Sequence, residues 1–464
     1  MIRVGVNYEG RDPRFVETVL PLAEIVEVTP DAIATLRDGV PFIPDDAIRE
    51  LAAIGRNTPI TLHGVGLSIA SADAMNAAYL ALTDTLMQSV DVAWHSEHLG
   101  YVMVDGEHLG TMLVPPRTEE ALELVCARVE AIRARYAKPF LLEHVVNLFP
   151  DPGGDYTAAG FLNEIVRRTG CGLLLDIYNL ECDAHNGICS TEAFLGELDL
   201  DAVREIHVAC GIVDRGVRVD VHSRVTRDET LALLQNVLAM APNVEAVIFE
   251  ILGPAVPSVG VDAIAAELQR VRAAVHGARR ADVSSAPKAD GTSALQSALS
   301  LREHQRAMRD LIRRGVVADD PYIASAAKSV GLEVTRDTIR GWLRFRLDRN
   351  CRLTSAILRR RGTYEPVFAS VERAAVSPFI EELSNNFLDA AAACGDPLVT
   401  SVASFERALL RGERDETTVS WPCDPYAVLG ALLQGDEIPN VSAAPHRTIV
   451  SSAIESLFRV ERVT

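Results

Sequence analysis

Eight short, β-rich apolar runs recur along the chain, each followed by enough sequence for a helix: RVGVN (3–7), EIVEV (24–28), PITLH (59–63), DVAWHSEH (91–98), PFLLEHV (139–145), GLLLD (172–176), REIHVA (204–209) and EAVIFE (245–250). Helix-like stretches fill the gaps at 73–89, 118–136, 158–169 and 228–240, with Ser71, Thr118 and Thr226 as cap-type residues ahead of three of them. Strands alternating with helices build parallel sheets. Eight such units within about 275 residues match the count and size of an α/β fold of the (β/α)8 TIM-like barrel kind, with a doubly wound sheet as the alternative.

The stretch GARRADVSSAPKADGTSA (277–294) is small and polar and reads as a linker. It divides the chain into an expected barrel over 1–276 and a smaller, mainly α-helical domain over 295–464. Helices are expected there at 299–314, 335–361, 367–393, 399–411 and 425–434. Charge follows the same division. The first 280 residues hold 22 Lys+Arg against 40 Asp+Glu and nine of the eleven histidines, whereas the remainder holds 23 against 24. Such an acidic first part is no nucleic-acid platform, but it suits a site that holds several cations. No run approaches the ~18 apolar residues of a membrane span. The start MIRVGVNYEGRDPRF lacks the pattern of a signal sequence, so the expected location is the cytoplasm, with the eight cysteines reduced.

Metal-capable side chains fall at the C-terminal ends of the expected strands, where barrel active sites are built. These are His63, His98, Glu143, Asp176, His207 and Glu250. Converging in one barrel mouth, they would carry too much unpaired buried charge without a cation. LLLDIYNLECDAHN adds Asn179 and His185 close behind Asp176, and VRVDVHSR places Asp220 and His222 two apart, on one side of an extended chain. The ten candidates exceed the roughly four to six ligands of one ion, so two or three ions are expected. His, Asp, Glu and Asn without thiolate favour Fe, Mn, Zn or Mg. Cys171, Cys182, Cys189 and Cys210 are read as packing residues.

At these residues the sequence resembles a family. LHGVGLSIAS (62–71), HSEHLGY (95–101), LLEHVVNLF (141–149), GLLLDIYNLECDAHN (172–186), EIHVACG (205–211), VDVHSRV (219–225) and IFEILGP (248–254) look like the ordered motifs of the multinuclear non-haem iron-dependent oxidative enzymes (MNIO). The resemblance implies a xylose-isomerase-like barrel with two or three irons, Fe(II) and Fe(III) mixed, in its mouth. It also implies O2-dependent modification of a ribosomally made precursor peptide at a Cys or a C-terminal Asp or Asn. The same ten residues are the implied ligands, with Glu143, His207 and Glu250 as the expected catalytic residues. The chain departs from the family pattern at His144, Tyr178 and Ile251.

LREHQRAMRDLI, RNCRLTSAILRRR and SFERALLRG resemble the partner proteins that recognise the precursor's leader. The expected partner is therefore a precursor peptide, bound by a domain fused in cis, with no nucleic acid and no membrane. Two other readings remain open at this point. One is a divalent-metal sugar isomerase or phosphodiesterase on the same barrel; the other is a peptide-binding scaffold with a closed structural metal.

Overall fold

Val, Ile, Leu and Phe dominate the eight runs, and each run forms a strand that is mostly buried along its length, as a sheet covered by helices requires. In a computed structural model, which describes residues 2–10, 12–37, 39–278, 297–373, 379–412, 414–438, 443–454 and 456–463, the strands are β1 Arg3–Tyr8, β2 Val26–Val28, β3 Ile60–Gly64, β4 Val92–His98, β5 Phe140–Glu143, β6 Gly172–Asp176, β7 Val203–Val208 and β8 Ala246–Phe249. They are hydrogen-bonded in the order β1, β8, β7, β6, β5, β4, β3, β2, and β2 returns to β1. Every neighbouring pair is parallel. This is the closed barrel, and closure excludes the doubly wound alternative.

Register sets the level of the later site. Asp176 lies opposite His207, Glu143 opposite His98, and His63 opposite Ser96. The outer helices begin where short polar side chains satisfy free N–H groups: Thr118 accepts from Ala121 N for helix Glu119–Tyr136, and Thr157 from Gly160 N for helix Ala158–Thr169. The helix expected from residue 73 starts at Ala77 instead, capped by Asn76 rather than Ser71. Helix Asp228–Met240 has Arg227 at its cap position and no side-chain cap; Thr226 donates its hydroxyl to buried Glu267.

The chain divides into two compact units, 1–336 and 337–464. The first extends well past the barrel, so the compact division does not fall at residue 295. Helix Leu301–Arg314, opened by a Ser300/Glu303 capping box, belongs to it. Leu301, Met308, Leu311 and Ile312 are buried on its inner face. Buried Gln305 donates to Ala70 O and accepts from Ala72 N, both at 2.7 Å, which holds the loop after β3. Arg306 and Arg309 reach Asp105 at 2.8 Å, and Arg314 reaches Glu107 at 2.6 Å. The arginines of LREHQRAMRDLI are thus occupied by carboxylates of this unit. All but the first two residues of the expected linker 277–294 lie outside the described residues.

In the second unit the expected helix 335–361 is two, Val330–Asn350 and Arg352–Arg361, the first starting within unit one. The expected 367–393 is also two, Tyr364–Arg373 and Ile380–Ala392. Helices Pro397–Arg411 and Pro425–Gln434 follow the reading closely. An antiparallel sheet of Thr417–Trp421, His446–Val450 and Phe458–Arg462 was not expected. Arg359 and Arg361 pair with Asp348 and Asp396 at 2.6 and 3.0 Å. No helix among the described residues is long and apolar enough to cross a membrane.

Candidate metal centre

Strand ends deliver the first cluster. His63 on β3, His98 on β4 and Glu143 on β5 converge so that Glu143 Oε2 lies 3.1 Å from His63 Nε2 and 3.2 Å from His98 Nε2. The far nitrogens fix the tautomers. His98 Nδ1 donates to Gly64 O at 2.8 Å. His63 Nδ1 meets Ser96 Oγ at 2.8 Å, and since that hydroxyl donates to Leu62 O, it accepts from the ring. Both Nε2 lone pairs therefore point at one carboxylate oxygen. Acceptors crowded in this way need a cation among them. Asn179 Nδ2 donates to Glu143 Oε1 at 3.1 Å and fixes the carboxylate from behind.

Gly64 closes the end of β3 in a space with no room for a side chain. A Cβ there would fall on the Tyr79 hydroxyl and the Glu97 carboxylate.

The second cluster uses the later strands. Asp176 ends β6 and caps helix Ile177–His185: its Oδ1 accepts from Tyr178 N at 2.6 Å and Asn179 N at 3.0 Å. Its Oδ2 is left facing His222 Nε2 at 3.5 Å. Asp220 Oδ1 lies 2.5 Å from the same nitrogen. Glu250, just past β8, turns Oε2 toward two imidazoles, His222 Nδ1 at 2.9 Å and His207 Nδ1 at 3.0 Å. One carboxylate oxygen facing two imidazole nitrogens thus occurs twice in the mouth.

Among the described residues, three sets in the mouth have ligand atoms close enough for an ion: His63, His98 and Glu143; Glu143, Asp176 and His207; Asp176, His222 and Glu250. Glu143 and Asp176 are shared between sets, which suits adjacent ions. His63 Nε2, Glu143 Oε2, Asp176 Oδ2 and Asn179 Oδ1 are buried without a hydrogen-bond partner. Orphaned donor atoms of metal-binding type, all aimed inward, fit a metal.

Electrostatics agree. Burial pushes the Glu143 and Asp176 carboxyls up to about 7, although histidines beside them pull the other way. Burial also opposes charge on His207 and His222, yet Glu27 beside His207 and Glu250 beside His222 hold both rings well above the usual histidine range. Glu250 in turn is held well below the carboxylate range by His222 and His207 despite its burial.

Nine of the ten residues expected from sequence are brought together. His185 is not. It is exposed at the far end of helix Ile177–His185, which carries it about 13.5 Å along the axis from Asp176. Its Nε2 lies 3.1 Å from Gly216 O instead. Sequence reasoning passed over Glu27 on β2 and Glu205 on β7, both fully buried, which form a further set with His207. The signal was present: Glu205 stands two residues before His207 and so shares its strand face, and Glu27 interrupts an apolar strand. Of the departures from the family pattern, Tyr178 donates its hydroxyl to Val219 O at 3.3 Å, and Ile251 exchanges backbone bonds with the Asn7 amide at 2.9 and 3.1 Å. His144 is buried beside Phe194.

Among known proteins, the chain is similar to a UPF0276 protein of Caulobacter vibrioides, 33% identical over 221 residues, which span 48% of this chain and 76% of that one. A UPF0276 protein of Chromobacterium violaceum is 34% identical over 180 residues, 39% of this chain and 65% of its own length. Two solved structures are similar to 59% and 60% of the chain: a xylose isomerase domain containing protein of Salmonella typhimurium (16% identity, 97% of that chain, TM-score 0.42) and a D-psicose 3-epimerase of Clostridium cellulolyticum (13%, 99%, 0.40). Residues 13–276, which contain every residue of the clusters described above, match the family described as RiPP precursor modification enzyme MbnB/TglH/ChrH. The chain belongs to that family.

Proposed function

We propose that this chain is an iron- and O2-dependent oxidase that modifies a ribosomally synthesised precursor peptide, at a Cys or a C-terminal Asp or Asn. The observation that carries the reading is the repeated arrangement of one buried carboxylate oxygen between two imidazole nitrogens, at Glu143 and at Glu250. Two such arrangements, bridged through Asp176, suit two or three ions better than one.

His63, His98 and Glu143 would hold one ion; Glu143, Asp176 and His207 a second; Asp176, Asp220, His222 and Glu250 a third. Iron held there would supply the redox chemistry for oxidation of the peptide by O2. The chain's own residues set the conditions. Ser96 and Gly64 O keep His63 and His98 in the tautomer that leaves Nε2 free. Asn179 holds Glu143, and the backbone amides of Tyr178 and Asn179 hold Asp176. Burial of Glu143, Asp176 and His207 keeps bulk water from the inner face of the site. Leader recognition is assigned to the C-terminal region, where binding remote from the chemistry makes docking of the core peptide intramolecular.

The experiment is iron analysis of anaerobically reconstituted protein together with O2 uptake in the presence of a candidate precursor peptide. Two to three irons per chain and peptide-dependent O2 consumption are expected. One ion or none in folded protein, or zinc with no O2 uptake, would refute the reading.

A further inference from the structure

Beneath the mouth, two acids interrupt the apolar layer of Ile25, Trp94, Leu141, Leu174, Ala246 and Ile248 that fills the barrel interior. Glu27 from β2 and Glu205 from β7 are both fully buried there. Glu27 Oε2 lies 3.2 Å from His207 Nε2. Glu205 Oε2 accepts from Trp94 Nε1 at 2.7 Å. One atom each of Glu27, Glu205 and His207 come within 4.8 Å of one another. We propose that Glu27 is a positioning residue for His207: it accepts the Nε2–H, so that Nδ1 presents its lone pair to the metal-holding face beside Glu250. The inference rests on the mouth being a metal centre, as proposed above.

The two ring nitrogens have different surroundings. Nδ1 lies 3.0 Å from Glu250 Oε2, the oxygen that also faces His222 Nδ1 at 2.9 Å. That repeats the arrangement of Glu143 Oε2 with His63 and His98, and marks Nδ1 as the nitrogen on the metal side. Nε2 looks the other way, across the barrel, at a carboxylate from a strand that is not its neighbour. A neutral imidazole has one N–H to give. Given to Glu27, it leaves Nδ1 as ligand; given to Glu250, it would block the metal side. Carboxylates behind metal-bound histidines set the tautomer in this way and raise ligand basicity. His63 and His98 receive the same service from Ser96 and Gly64 O, so each of the three rings is fixed from behind by a different group.

Glu205 and Trp94 complete the arrangement. The indole N–H fixes Glu205, which has a carboxylate oxygen within 4.8 Å of ligand atoms of both Glu27 and His207. Burying an acid in a barrel core is costly without a task that needs it.

The test is Co(II) titration of the metal-free full-length chain, followed by visible absorption. His207→Ala should lose one Co(II) site. Glu27→Gln, which keeps the volume, should weaken that site about 10- to 100-fold and shift its absorption bands while the remaining sites bind as before. Glu27→Asp, which withdraws the oxygen but keeps the charge, should weaken it likewise. In the His207→Ala background, Glu27→Gln should change Co(II) binding no further. Thermal unfolding of each metal-free variant separates loss of the fold from loss of the ligand. Unchanged affinity and spectrum in Glu27→Gln would overturn the proposal, as would a further loss of affinity in the His207→Ala background. If the unsubstituted chain binds no Co(II), the metal centre itself is refuted and this inference with it, a result distinct from either outcome at Glu27.

Discussion

Glu143→Gln should make the metal-free protein more stable at pH 8 while depriving it of its metal. The carboxylate is buried, and its Oε2 faces the Nε2 lone pairs of His63 and His98 at 3.1 and 3.2 Å. Burial raises its carboxyl from 4.5 to about 7. Below pH 4.5 the group is protonated in folded and unfolded chains alike, and folding carries no penalty from it. Between 4.5 and 7 the unfolded chain ionises first and the penalty grows; above 7 it is complete. The rise from 4.5 to about 7 corresponds to about 3 kcal/mol at full extent. A Gln amide removes that cost: its oxygen accepts from Asn179 Nδ2 as Glu143 Oε1 does, and its NH2 can donate to both imidazoles. Urea unfolding in the presence of a chelator, followed by tryptophan fluorescence, should show the variant more stable by up to about 3 kcal/mol at pH 8 and level with the parent near pH 5. With iron present the order should invert, because a neutral amide is a poor ligand between two ions. A metal-free variant less stable than the parent at pH 8 would refute the argument that Glu143 confronts lone pairs.

Other outcomes follow from the same geometry. His185→Ala should leave iron content unchanged, because the ring bonds Gly216 O outside the cluster; a lost iron on metal analysis would return it to the ligand set. A chain ended at residue 278 loses buried Leu301, Met308, Leu311 and Ile312. At about 2 kcal/mol each, or about 8 kcal/mol together, that loss is comparable to the whole stability of a domain, so calorimetry should find no cooperative transition near that of the full chain. Gly64→Ala should lower both the midpoint of thermal unfolding and metal affinity, because its Cβ displaces Tyr79 and Glu97 next to His63; unchanged values for both would show that the strand end adjusts freely.

Much of the barrel is readable along the sequence because parallel strands, buried on both faces, appear as unbroken apolar runs such as GLLLD and EAVIFE, and because polar residues at their ends stand out. Asn179 was legible for the same reason: three residues beyond Asp176, it remains on the same side of the first helical turn. His185 was misread as a neighbour because nine residues of helix separate it from Asp176 in space, although both stand in one motif. Glu27 and Glu205 lie within strands, where an isolated acid looks like an outward-facing residue until the barrel closes around it. The sheet of Thr417–Trp421, His446–Val450 and Phe458–Arg462 consists of five-residue strands, too short to stand out among amphipathic helices. That helix Leu301–Arg314 packs in the first unit is a long-range fact; only the positions of Ala70, Ala72 and Asp105 make it visible.

Asp176 divides its carboxylate between two tasks, one oxygen on the amides of Tyr178 and Asn179 and the other turned into the mouth. A cation drawn to Oδ2 pulls on the same group that closes the first turn of helix Ile177–His185. Loading and local order therefore share one carboxylate, and the helix becomes an internal gauge of the site's occupancy. Exchange of the Tyr178 and Asn179 amides with deuterated solvent should slow as ions enter, ahead of any change in amides on the far side of the barrel. Filling could thus be followed from the backbone alone, without substrate, oxygen or the colour of the metal.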